Sequence, residues 1–290
     1  MIVTITGPTG VGKTKLSVEL AKRLNAEIIN GDSMQVYKGL DIGTAKVTEE
    51  EKEGVPHHLF DIVDVTDTYT VYDYQRDCRS KIDELQSKNK NIIIVGGTGL
   101  YIKAALYDYK FDKEEEKRDY SKCSLDELID RIKKIDSNIK IDFSNRRRVE
   151  RTLEKLENNS SFTNDGDNVV YPSIIIGLTT DRENLYNIIN NRVDKMISNG
   201  LIEEVKSLYD KKINSKAINT GIGYKELYSY FNNEISLEEA IDLIKKNSRK
   251  YAKRQYTFFN NKMDVKWFNT DYNCFTKTID EVYNYIISKK

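Results

Sequence analysis

With 290 residues, 32% of them charged, the chain is long enough to bury one large core, or a core plus a smaller inserted unit. Lys plus Arg and Asp plus Glu balance at 46 each, so no global field announces a nucleic-acid partner and any basic footprint must be local. Three scattered cysteines (Cys78, Cys123, Cys274) without C-x-x-C spacing argue against a disulfide framework and a structural zinc site, and no apolar run approaches the about 20 residues of a membrane helix, so a soluble, cytoplasmic protein is expected.

The first strand, Ile2-Val3-Thr4-Ile5-Thr6, leaves no room for a signal peptide before it. It runs into Gly7-Pro8-Thr9-Gly10-Val11-Gly12-Lys13-Thr14, which fits G-x-x-x-x-G-K-[ST] at every fixed position. Beyond it Leu16, Leu20, Ala21 and Leu24 recur at helical spacing. Strand, glycine loop and helix N-terminus together form an anion site: the loop aims successive amides at one point, and orphan amides and helix dipole both favour negative charge. Lys13 adds a mobile positive charge, and the Thr14 hydroxyl is the candidate Mg²⁺ ligand. The motif specifies phosphate without saying what carries it.

A second strand, Ala26-Glu27-Ile28-Ile29, passes directly into Asn30-Gly31-Asp32-Ser33-Met34-Gln35. In an open parallel sheet the ligand crevice lies beyond the carboxyl ends of the strands, so Asp32 either faces bound phosphate or simply caps a turn. Tyr37 to Lys46 is a glycine-punctuated loop too irregular for a regular element, and the adjacent His57 and His58 read as structural. A helix over 71–88 carries Val71, Tyr74, Cys78, Ile82 and Leu85 on one side. It leads to the strand Asn91-Ile92-Ile93-Ile94-Val95 and then Gly96-Gly97-Thr98, and the same crevice rule sends Thr98 toward Asp32 and Lys13.

From 112 to 167 the character changes to a charged, helical insertion, with helices over about 124–135 and 145–157, interrupting a core of 1–111 and 168–290. Arg146, Arg147, Arg148 and Arg151 cluster at a helix start, where positive charge opposes the dipole; this fits either an anionic partner or a solvated face. The sheet resumes over 171–178, and helices over 182–199 and 201–211 carry core residues. Thr220-Gly221-Ile222-Gly223-Tyr224-Lys225 breaks the helical pattern. A helix over 236–258 then bears Lys245, Lys246, Arg249, Lys250, Lys253 and Arg254, spaced as one basic stripe with no acidic residue interleaved. Val265 to Phe268 and a last helix through Ile287 close the core.

Asn261-Lys262-Met263-Asp264 matches the guanine-reading N-K-x-D, but the partner D-x-x-G of a GTPase is missing. A P-loop small-molecule kinase is the stronger rival. Taken together, the cradle, Asp32-Ser33-Met34-Gln35-Val36-Tyr37, Gly39 to Lys46, Gly96-Gly97-Thr98-Gly99-Leu100-Tyr101, Gly221-Ile222-Gly223-Tyr224-Lys225 and Ala252-Lys253-Arg254-Gln255 resemble the bacterial tRNA dimethylallyltransferases (tRNA isopentenyltransferases). The chain departs from that family's pattern at Val47, Phe143-Ser144-Asn145, Thr220 and Phe258-Phe259, where Pro, Pro-Asn-Asp, Gln and Trp-Phe are usual.

The resemblance implies an α/β fold, a P-loop NTPase-like parallel sheet flanked by helices with a small helical insertion. It implies transfer of a dimethylallyl group from dimethylallyl diphosphate to the exocyclic amine of the adenine beside the anticodon of tRNA, releasing diphosphate, by a monomer using Mg²⁺. A prenyltransferase acting on free AMP is the nearer alternative, but it leaves the insertion and the stripe unexplained. Asp32 is then the base and Thr98 its partner, and Gly7 to Thr14 hold the diphosphate. Asp32 to Gln35, Thr98, Arg118, Ser144 to Arg148 and Thr220 to Lys225 line the RNA path, and the stripe meets RNA phosphates or the diphosphate.

Overall fold

The computed structural model describes residues 1–111, 118–158 and 166–289; the charged stretch 112–117 and the polar stretch 159–165 of the expected insertion lie outside the described residues. The chain divides into two compact units, one of Met1–Tyr107 with Asn168–Lys290, the other Asp108–Asp167.

The larger unit is built on a six-stranded, all-parallel sheet. Its elements in chain order are β1 (Ile2–Thr6), α1 (Lys13–Leu24), β2 (Ala26–Asn30), α2 (Glu49–Lys52), β3 (His57–His58), α3 (Val71–Ser87), β4 (Asn91–Val95) and α4 (Gly99–Leu106). After the smaller unit's α5 (Leu125–Ile135) and α6 (Arg146–Glu157) come β5 (Ile174–Thr179), α7 (Arg182–Ser198), α8 (Leu201–Asp210), α9 (Lys216–Thr220), α10 (Tyr224–Phe231), α11 (Leu237–Lys262), β6 (Lys266–Asn269) and α12 (Phe275–Ser288). The strand order β3-β2-β4-β1-β5-β6 puts β1 in the middle, where the sheet's winding reverses.

Both faces of the sheet are covered, which is why β4 reads as a near-continuous apolar run and every residue of β1, Thr4 and Thr6 included, is buried. Along β4, Ile93 joins the layer of Leu16 and Leu20 from α1 and Ile279 and Val282 from α12, while Ile92 and Ile94 join the opposite layer with Tyr74, Ile82 and Ile102. Each such fully buried aliphatic side chain contributes about 1.5–3 kcal/mol. The helix starts are written in the sequence: Thr70 with Asp73 and Ser236 with Glu239 form reciprocal capping boxes on α3 and α11.

Several elements differ from the sequence expectation. The helix expected over 236–258 continues to Lys262, so Asn261 and Lys262 of the guanine-like tetrapeptide end a helix instead of following a strand. His57 and His58 form a two-residue edge strand, Lys266–Asn269 is a sixth strand, and the glycine-broken segment around Thr220 contains α9 and opens α10. No helix among the described residues is long and apolar enough to cross a membrane.

In the smaller unit, α5 and α6 enclose Tyr120, Leu128, Ile132, Val149 and Leu153. Arg146 is drawn inward, pairing with Glu150 (2.8 Å) and donating to the carbonyls of Tyr120 and Cys123 (both 2.8 Å). Arg118 pairs with Glu157 (2.6 Å) and bonds Asn158 (3.1 Å). Arg147 and Arg148, with Ser144 and Asn145 before them, are exposed.

Candidate active site

Register decides what meets at the open end of the sheet. Ile5 of β1 lies level with Val95 of β4 and Ile176 of β5, and Asn30 of β2 is level with Val95. The segments after β1, β2 and β4 therefore leave the sheet side by side. Backbone bonds lace two of them, Gly31 N–H to Val95 O (2.7 Å) and Thr98 N–H to Gly31 O (3.2 Å).

A cavity of about 790 Å³ opens at this end, within the usual range for small-ligand sites. Its wall includes Gly10, Lys13 and Thr14 of the glycine loop, Asp32 to Gln35, Gly43 to Ala45, and Thr220 to Lys225. Gly7 takes φ 131°, and a Cβ there would stand 2.4 Å from the Leu178 carbonyl oxygen, so only glycine lets this loop pack on β5.

Lys13 Nζ donates to the loop carbonyls of Gly7 (2.9 Å) and Pro8 (2.7 Å). Its surface reaches the cavity, yet protein surrounds it. That burial, with the nearby Arg192 guanidinium, lowers its pKa to about 7 against a partial offset from Asp32. Arg192 of α7 lines the same cavity; burial lowers its pKa too, the Asp32 charge opposing. Lys13 and Arg192 thus flank Asp32, and with Lys15, Lys225 and Arg254 against Glu51 and Glu53 elsewhere on the wall the cations outnumber the carboxylates, an imbalance suited to a multiply charged anion.

Asp32 caps its own turn through Oδ1, which accepts the Met34 N–H (3.0 Å), and it also lines the cavity. Its backbone is fixed by the buried Asn30, whose side chain takes the Asp32 N–H (2.8 Å) and donates to the Asp32 carbonyl (2.9 Å). Tyr74 of α3 in turn donates to the Asn30 carbonyl (2.8 Å). Thr98 Oγ1 accepts the Ser33 N–H (3.0 Å) and donates to Ser33 Oγ (3.2 Å). Thr98 is not among the lining residues; it stands behind Ser33 and Tyr251, which are. Tyr251 hydrogen-bonds Thr98 and Gln255, and burial followed by the Asp32 charge keeps its phenol protonated.

The Gly39–Lys46 loop is held from several sides. Glu204 Oε2 accepts the N–H groups of Asp41 (3.0 Å) and Ile42 (2.7 Å), while Oε1 accepts the Gly43 N–H (3.1 Å) and the Tyr224 hydroxyl (2.7 Å). A Cβ on Gly43 would lie 2.6 Å from the Tyr224 ring. The Thr44 carbonyl accepts Gln35 Nε2 (3.0 Å) and Arg192 Nη2 (3.3 Å). Lys46 is tied to the Tyr37 carbonyl (2.8 Å) and Asp41 (2.6 Å).

The basic stripe of α11 is not one unneutralised surface. Lys245 pairs with Asp194 (2.6 Å), and Arg249 donates to Asn190 (2.6 Å) and lies over the Tyr186 ring, because α7 packs along that edge. Arg254, on the other edge, lines the cavity. Lys246, Lys250 and Lys253 between them are exposed. Of the positions departing from the family pattern, Val47 and Thr220 line the cavity, and Phe258 packs where a Gly99 Cβ would be. His57 also lines the cavity, its Nδ1 2.8 Å from the Val55 carbonyl.

Arg192, Tyr251 and Glu204 carry no motif in the sequence. Arg192 interrupts the apolar series Ile189, Val193, Met196, and a cation within a buried helical stripe is the signal that would have found it.

The model of the IPP transferase family matches residues 35–262. The tRNA dimethylallyltransferase of Anoxybacillus flavithermus is 48% identical over 99% of this chain and 96% of the relative, and that of Bacillus subtilis 47% over 92% and 90%. Among solved structures, the tRNA isopentenylpyrophosphate transferase of Bacillus halodurans superposes with a TM-score of 0.78 at 44% identity, covering 99% of this chain and 96% of its own. A eukaryotic dimethylallyltransferase acting on tRNA gives 0.80 at 29% identity, covering 100% and 80%.

Proposed function

The chain belongs to the IPP transferase family, a tRNA dimethylallyltransferase transferring a dimethylallyl group to tRNA, and on that premise we propose how its residues divide the work. The acceptor is the exocyclic amine of the adenine beside the anticodon and the donor dimethylallyl diphosphate. The adenine leaves its stack, at a cost of a few kcal/mol, to enter the cavity. Its amine is a weak nucleophile because its lone pair is delocalised into the ring.

As the nitrogen–carbon bond forms and the carbon–oxygen bond to diphosphate breaks, Asp32 takes the amine proton. Such assistance is typically worth about 10²- to 10⁴-fold. Thr98, behind the cavity wall, acts on the amine through Ser33, whose N–H and hydroxyl it holds. Lys13 leaves the Gly7 and Pro8 carbonyls for the leaving diphosphate, and Arg192 faces it from α7. One preorganised donor of this kind is worth roughly 10²- to 10³-fold.

Thr14, exposed on the cavity wall beside Lys13, is the residue whose hydroxyl would hold a Mg²⁺ ion. When bound, the ion would neutralise diphosphate charge. Ser33 to Gln35 and, beside the buried Gly221, Gly223 and Tyr224, the side chains of Thr220, Ile222 and Lys225 meet the RNA, with Arg147, Arg148 and the outer cations of α11 on its phosphates. The enzyme works in the cytoplasm as a monomer.

The observation that carries this reading is the common cavity of Lys13, Arg192 and Asp32, two anion-binding cations and one proton acceptor. Unmodified tRNA, Mg²⁺ and protein are incubated with dimethylallyl diphosphate or ATP, and the RNA is weighed by mass spectrometry. A gain of one dimethylallyl unit with the diphosphate alone is expected; no gain, or a gain only with ATP, would remove the reading.

A further inference from the structure

We propose that Glu204 is a positioning residue for prenyl transfer: it sets the Asp41–Ala45 turn, and through the Thr44 carbonyl it places Arg192 and Gln35 together. The inference deepens the reading above and rests on it.

Three successive amides, those of Asp41, Ile42 and Gly43, converge on the Glu204 carboxylate within 2.7–3.1 Å. Convergent backbone N–H groups make an anion nest, and here the chain fills it with its own side chain. The Tyr224 hydroxyl supplies a fourth donor at 2.7 Å, and its burial beside Glu204 keeps that phenol protonated and donating. Four donors thus meet two oxygens. Only a carboxylate satisfies all four, since an amide would turn its own N–H groups toward at least one of them.

The consequence reaches both halves of the reaction. The turn so fixed continues directly into Thr44, whose carbonyl receives one group assigned to the diphosphate, Arg192, and one assigned to the RNA, Gln35. Gly43 explains why the turn and Tyr224 come as a pair: the ring occupies the space a side chain there would need. Glu204 itself is not a lining residue, so its effect is transmitted through the turn.

The test compares wild-type protein with Glu204→Gln in amide hydrogen exchange and in steady-state prenyl transfer, well below the melting temperature. Exchange at residues 41–43 is expected to speed up about tenfold or more, with kcat/KM falling about tenfold or more for both dimethylallyl diphosphate and tRNA. A purely structural role would lower the melting temperature while leaving both kcat/KM values unchanged, and that result overturns the proposal. Unchanged exchange does so as well. Should Glu204→Gln not fold, Tyr224→Phe withdraws one donor and leaves the carboxylate on its amides; kcat/KM dropping for both substrates supports the proposal, and an unchanged pair overturns it. A wild-type protein that prenylates no RNA would remove the functional reading instead, with the exchange result standing apart.

Discussion

Lys13 and Arg192 stand together beside Asp32 on the cavity wall, so the site's response to pH follows from the group that titrates. In the free protein Lys13 loses its proton at about 7 instead of 10.5. A bound diphosphate favours the ammonium and raises that pKa, so above about pH 7 binding must take up a proton. Through Lys13, diphosphate affinity is therefore expected to be independent of pH below this point, where the ammonium is already formed, and to weaken as pH rises above about 7. Calorimetry in buffers of different ionisation enthalpy measures the proton uptake, and Lys13→Arg, always charged, should abolish it; uptake persisting in that variant would assign it elsewhere. Asp32→Asn keeps an oxygen for the Met34 cap and removes the proton acceptor. Single-turnover prenyl transfer should then fall about 10²- to 10⁴-fold while tRNA affinity changes far less; a near-normal rate would show that another group takes the proton. Lys13 was readable in the sequence from the G-x-x-x-x-G-K-[ST] pattern and Asp32 from its place just past a strand end, where the crevice rule applies. Arg192 and Glu204 were not, since what they do depends on which loops α7 and α8 meet, and helical spacing alone is silent on that.

At the scale of elements, α11 shows how a pattern read correctly as a helix is mistaken as a surface. Lys245 to Arg254 lack acidic neighbours in sequence, but packing brings Asp194 and Asn190 of α7 against one edge. The cations left for a polyanion are then Lys246, Lys250, Lys253 and Arg254. Replacing both Lys250 and Arg254 by Glu should flatten the salt dependence of tRNA affinity by roughly one to two units of slope, as fewer counterions are released. Lys245→Glu should leave the slope nearly unchanged, because that charge is already paired; binding titrations across a salt series check both. A slope unaltered in the double variant would take α11 out of the RNA contacts. Long elements such as α3 and α11 were legible because their apolar or basic residues recur at helical spacing, and the structure adds the capping boxes that start them. The two-residue β3 has no period to read, and α9 and α10 are short pieces around Gly221 and Gly223, where glycines masked the helical pattern.

The whole molecule is one chain that leaves its larger unit once and comes back at nearly the same place. Tyr107 pairs antiparallel with Val169, and the N–H groups of Val170 and Tyr171 both donate to the Leu106 carbonyl (2.8 and 3.0 Å). The two ends of the smaller unit are thus already pinned together by the larger one. Each unit also has its own buried cluster, that of the smaller being centred on Leu128, Ile132, Val149 and Leu153. Replacing 108–167 by a short Gly/Ser linker closes a shorter loop over the same gap, which costs little because closure entropy grows only slowly with length. The excised protein should unfold in one cooperative thermal transition and bind diphosphate as the full chain does, since Lys13 and Arg192 stay in place. Its affinity for tRNA should fall, because Arg147 and Arg148 go with the smaller unit. Loss of cooperative unfolding would mean that the larger unit needs the smaller for its core. Undiminished tRNA affinity would instead confine recognition to Ser33–Gln35, Thr220–Lys225 and the outer cations of α11, leaving the inserted unit outside the RNA-binding surface.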